Sequence, residues 1–182
     1  LGVNIGTGEY TSAGPAGATL LSGLPVTEEN VKDLLQRVVT EWQGNVLAST
    51  YAEGNSSAEV QAVIWSYDDA NGKKLSMTSG SGGYAAMLSD RVFGRHGFPA
   101  RKLDDITKMR AGDLVITLDN GKIVRVSTYS GTKGEMMTLE GRMERGYGMY
   151  YLKEGGGGGS MVITPDDEFP GRTYEVWTRY PE

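Results

Sequence analysis

Between Thr27 and Gly44 the apolar residues Val31, Leu34, Leu35, Val38, Val39 and Trp42 recur at steps of three and four. That period lays one apolar face along an α-helix. Thr27 can cap its start, Glu28 and Glu29 suit its positive end, and Gly44 stops it. A second helix is expected from Gly80 to Gly94, opened by the glycine turn around Ser81, with Tyr84, Met87, Leu88 and Val92 along one side. The stretch 45–79 is less regular. Val60 to Tyr67 fits a strand or a short helix, and Asp68-Asp69-Ala70-Asn71-Gly72 fits a turn.

From Gly112 onward the period shortens to that of strands. Leu114 to Leu118 and Ile123 to Tyr129 flank Asp119-Asn120-Gly121, and an Asn-Gly pair between two such runs signals a tight hairpin. A third strand is expected over Glu135 to Glu140, after a break at Ser130-Gly131. Met149 to Leu152, Met161 to Thr164 and Tyr174 to Tyr180 follow as further strands, with Gly155 to Ser160 as a flexible loop between two of them. Helices first and strands afterwards predict an α+β domain with an antiparallel sheet.

The chain has 182 residues, the size of one domain with a single core. Its 27 glycines are about twice the roughly 7% share of an average protein, and several cluster. One such region, rich in Gly, Ala, Ser and Thr, makes residues 1–26 a flexible lead-in or spacer and leaves 27–182 as the folded domain. Net charge is −5, with Lys and Arg scattered among the acids, so the basic stripe of a duplex nucleic-acid binder is missing. No window approaches the roughly 20 apolar residues of a membrane span.

The absence of cysteine excludes disulfides, thiolate zinc sites and thiol nucleophiles together. The single histidine, His96, cannot build a multi-histidine metal site, and no cofactor or metal is expected. Asp68-Asp69, Asp104-Asp105 and Asp166-Asp167-Glu168 lack the alternating spacing of a calcium loop and read as turns and caps. Asn55-Ser56-Ser57 fits a glycosylation acceptor, which matters only in a eukaryotic secretory route. The short Gly-x-Gly pieces near Gly6, Gly80 and Gly146 lack the strand–turn–helix setting of a phosphate loop. Tyr147, Tyr150 and Tyr151 form an aromatic cluster that suits either a binding groove or an ordinary sheet.

Three separated pieces carry a resemblance. They are Tyr84-Ala85-Ala86-Met87-Leu88-Ser89-Asp90-Arg91-Val92-Phe93-Gly94, then Phe98-Pro99-Ala100-Arg101-Lys102, then Met109-Arg110-Ala111-Gly112-Asp113. With the closing Trp177-Thr178-Arg179-Tyr180-Pro181-Glu182, they resemble a family of secreted and surface proteins of Gram-positive bacteria. That family is similar to the papain-like (NlpC-type) cell-wall cysteine hydrolases. The resemblance spans about residues 27–182 and is tightest over 80–118. It implies a papain-like half, with N-terminal helices packed on an antiparallel sheet, and an extracellular or cell-surface location.

The same resemblance implies where a catalytic set would fall. The family's nucleophilic cysteine matches Ser81, its histidine base matches Lys122, and its polar third member matches Arg142. A helix N-terminus favours a thiolate, whereas a serine hydroxyl there needs a positioned base. All three positions are substituted, which points to a binding domain that retains the groove for a peptide or cell-wall fragment, between the Ser81 helix start and the Lys122 hairpin. Two alternatives stay open: an amide or ester hydrolase using Ser81 with Lys122, and a purely structural module of a larger surface protein.

Overall fold

The computed structural model describes residues 3–4, 9–10, 19–41, 80–94, 98, 100–137, 141–152, 158–163 and 171–181. Two of these pieces lie in the lead-in, where β1 (Val3–Asn4) pairs antiparallel with β2 (Glu9–Tyr10).

Helix α1 runs from Glu28 to Glu41. Its start is capped as its composition requires: the Asn30 N–H donates to Thr27 Oγ1 at 3.2 Å. Val31, Leu35 and Val38 are buried, and Leu34 and Val39 pack partly behind them. Trp42 and Gly44 lie outside the described residues. The packed domain also takes in part of the expected lead-in. Leu20 is fully buried in the same core, and the Leu21 N–H donates to the Val92 carbonyl at 3.0 Å.

Helix α2 runs from Gly80 to Phe93. Residues 82–90 are all buried, Ser89 and Asp90 included, so the expected single apolar side is instead a helix enclosed around most of its girth. Small residues on the flanks of Tyr84, Met87 and Leu88 make this possible, since Gly82, Gly83, Ala85 and Ala86 admit close neighbours. The Gly94 N–H closes the helix on the Asp90 carbonyl at 2.9 Å.

Among the described residues the remaining elements are β3 (Arg101–Leu103), a 3-10 turn (Ile106–Lys108), β4 (Leu114–Asp119), β5 (Lys122–Met137), β6 (Met143–Leu152), β7 (Gly158–Ile163) and β8 (Arg172–Thr178). The strands from β3 onward form one six-stranded sheet, ordered β3-β8-β4-β5-β6-β7, with every neighbouring pair antiparallel. Two described helices with such a sheet make the fold α+β.

The hairpin between β4 and β5 has the expected two-residue loop. Asn120 and Gly121 both have positive φ, 48° and 80°, the combination a type I′ turn demands. Three expectations need amending. The strand expected over 123–129 and the described part of that expected over 135–140, as far as Met137, are one continuous β5, because the interruption at Ser130-Gly131 is absorbed as an irregularity between Tyr129 and Lys133; residues 138–140 lie outside the described residues. β6 starts six residues before Met149. Gly158 to Ser160, read as loop, belong to β7 and pair with Leu152 to Tyr150.

Both faces of the sheet are used. On one, α1 and α2 pack over β5 and β6, and Tyr150 and Leu152 meet the helical core. On the other, Val115, Tyr129, Tyr147, Met149, Ile163 and Val176 form a second cluster. The alternation within Tyr147-Gly148-Met149-Tyr150 therefore divides the tyrosine cluster between two surfaces.

Candidate functional site

Ser81 is the second residue of α2, at the helix start that its glycine context implies. Lys122 opens β5 directly after the Asn-Gly turn and is exposed. Arg142, also exposed, lies just before β6. Lys122 and Arg142 stand at opposite ends of β5, because the far end of that strand pairs Met137 with Met143. At about 3.3 Å per residue the strand between them has a contour of roughly 50 Å. The sheet does not bring these two positions into one site. His96, Asp68-Asp69, Asp166-Asp167-Glu168 and Asn55 lie outside the described residues. Asp105 caps the 3-10 turn by accepting from the Thr107 N–H and hydroxyl, and those bonds hold its carboxyl below the usual range. Among the described residues no three His, Asp or Glu side chains come together, and no helix is long and apolar enough to cross a membrane.

Two of the motif pieces quoted above, 84–94 and the one beginning at Phe98, meet the closing piece around Arg179. This guanidinium is 2% exposed. It donates to the Phe98 carbonyl at 2.7 Å, the Gly94 carbonyl at 2.6 Å, Ser89 Oγ at 3.1 Å and Asp90 Oδ1 at 3.3 Å. One side chain thus ties the end of α2 and the segment after it to the C-terminal end of β8. Every one of these partners is internal, so the cluster acts as a structural latch.

Beside it lies a second buried group. Asp113 is 1% exposed, and its Oδ2 accepts from the Arg110 N–H at 2.7 Å while Oδ1 has no hydrogen-bonding partner. Burial pushes its pKa up to about 7. The Thr178 hydroxyl, the Arg110 N–H and the charges of Arg110 and Arg101 pull the other way without prevailing. Tyr180 closes this corner: its hydroxyl donates to the Ala111 carbonyl at 2.6 Å, and the Arg110 guanidinium lies 3.9 Å from its ring centre. Burial, then the nearby Asp113 and Glu28 carboxylates, raise the Tyr180 phenol well above its ordinary value. Glu28 reaches the same corner from α1 and accepts from the Ala111 N–H at 3.2 Å.

A concavity among the described residues lies across β5, β6 and β7. A groove of about 310 Å³ is lined by Ser130, Thr132 and Met137 from β5, by Gly148, Met149 and Tyr150 from β6, and by Ser160, Met161 and Val162 from β7. It coincides with the irregular stretch of β5, where Ser130 to Thr132 depart from the ladder opposite Gly148. The described lining includes neither Lys122 nor Arg142. Of the tyrosine cluster, Tyr150 lines it. Tyr147 instead stacks edge-on against Tyr129 with ring centres 5.8 Å apart, and Tyr151 lies under the Arg125 guanidinium. The sequence signal for the groove was the glycine-interrupted strand text around Ser130-Gly131 and Gly146 to Gly148, which marks irregular pairing without saying what gathers there.

Comparison of the chain with family models, with characterised proteins and with solved structures finds no match.

Proposed function

We propose that this chain is a non-catalytic binding domain, secreted or displayed at a cell surface, that holds a peptide or cell-wall fragment on a papain-like frame. The observation that carries this reading is a 310 Å³ groove whose described lining includes neither Lys122 nor Arg142. A lysine serving as base for a serine needs burial, and Lys122 is exposed. The text resembling the hydrolases is spent on internal contacts, above all those of Arg179, which hold the frame whether or not any bond is cleaved.

Titration of the protein with soluble muropeptides, followed by intrinsic fluorescence or amide chemical shifts, tests the reading. Saturable binding is expected, weakened at least tenfold by Ser160→Trp, an exposed position that would fill the groove. Linear, unsaturable responses across the panel would overturn it. The rival hydrolase reading makes a separate demand: a fluorophosphonate probe must leave one adduct on the intact mass that Ser81→Ala abolishes.

A further inference from the structure

The chemistry of the groove wall narrows what it can hold. Among the described residues its lining carries no charged side chain, in a chain with 23 acids and 18 bases. Four of the lining residues carry hydroxyls, Ser130, Thr132, Tyr150 and Ser160, interleaved with the apolar Met137 and Val162; Ser130 Oγ also accepts from the Thr132 N–H at 3.3 Å. Thr132 and Ser160 are exposed, so their hydroxyls are open to a ligand. Behind Tyr150 the wall stays polar. Its cross-strand partner Thr128 is fully buried, Tyr84 from the first turns of α2 is 1% exposed, and neither Thr128 Oγ1 nor Tyr84 Oη has a hydrogen-bonding partner. The Tyr150 phenol is close enough to Tyr84 to contribute to raising its pKa, after the larger effect of burial.

A charged ligand would have to shed its hydration with no charged group among the described lining residues to receive it, the Arg125 guanidinium being engaged with Sδ of the lining Met161 at 2.9 Å. A polyhydroxylated neutral ring matches better. Hydroxyls both donate and accept, so serine and threonine side chains can pair with ligand hydroxyls of either orientation. The C–H face of a pyranose can lie on the tyrosine ring and the apolar side chains, as amphipathic aromatics favour. We propose that the groove across β5, β6 and β7 binds a neutral hexopyranose chain, with Thr132, Ser160 and Ser130 contacting sugar hydroxyls and Tyr150 supporting a ring face. This rests on the binding reading above and specifies its ligand.

Calorimetric titration with cellotetraose, chitotetraose and end-capped tetra-alanine tests it, beside the soluble muropeptides. At least one tetrasaccharide should saturate, with an affinity that changes less than twofold between 50 and 500 mM salt, roughly as expected when no charges pair. Thr132→Val and Ser160→Val should each weaken that binding at least fivefold while leaving the thermal midpoint in place. Muropeptide binding without tetrasaccharide binding would overturn the sugar assignment and leave the binding reading standing. Saturation by tetra-alanine alone would do the same. Failure of every ligand would sink both.

Discussion

Arg179 sits where a charged side chain is tolerated only if everything around it cooperates. Its removal leaves Asp90 buried without its ion-pair partner and frees two carbonyls. Arg179→Met should therefore cost about 3–5 kcal/mol in chemical denaturation. Arg179→Lys should recover only part of that, since an ammonium cannot reproduce the planar fork. Asp113 makes a pH prediction. Its folded-state pKa is raised from 3.8 to about 7, so the folded protein binds the proton more tightly than the unfolded chain. Its contribution to stability is full below pH 4 and is lost as pH rises through 7. Asp113→Asn should flatten the fall in stability between those limits while keeping an oxygen for the Arg110 N–H. A slope unchanged by the substitution would show that the carboxyl is ionised throughout. Tyr84→Phe removes a buried hydroxyl that has no partner, and is expected to be neutral or stabilising by up to about 1 kcal/mol. A loss of stability would reveal a bond to that hydroxyl. None of these roles was legible in the sequence. The Ser89-Asp90 and Trp177-Thr178-Arg179 pieces stand out as text, but only the position of β8 beside β4 brings them into contact.

At the scale of elements, the sequence was most readable where one local force dominates. The three- and four-residue spacing and the Thr27 cap defined α1, and Asn120-Gly121 fixed the β4–β5 turn. Reading failed where tertiary pairing overrides composition. Glycines at 158 and 159 argue for a loop, yet the neighbouring β6 ladder holds them in β7. Ser130-Gly131 argues for a strand end, and the long β6 instead carries β5 past it. The approach to β4 provides a sharp test of packing. Gly112 has φ near 90°, and a Cβ there would lie 2.8 Å from Val31 Cγ1 and 3.4 Å from the Phe93 ring. Gly112→Ala combines backbone strain with overpacking between α1, α2 and the sheet, and should destabilise by about 2–4 kcal/mol. A thermal midpoint within a degree or two of wild type would mean that α1 is not seated on the start of β4.

For the molecule as a whole, the order of helices and strands conveyed the α+β class, because period and sequence order are properties of the chain itself. The six-stranded order, with β8 inserted between β3 and β4, was not legible, since nothing local specifies which strands become neighbours. The site was legible least. Ser81, Lys122 and Arg142 were placed by resemblance, whereas the groove arises from pairing irregularities in β5 and from side chains on three strands. Two features thus lie apart: the buried latch around Arg179 that ties α2 to the end of β8, and a groove with no charged side chain in its described lining, which we propose holds a ligand. Incubation with purified peptidoglycan sacculi tests that separation most directly, with retained protein and released soluble fragments measured in the same reaction for wild type and Ser81→Ala. Saturable retention, equal for both proteins and with no release above background, is the predicted result. Fragment release that disappears in Ser81→Ala, or the lack of saturable retention, would contradict it.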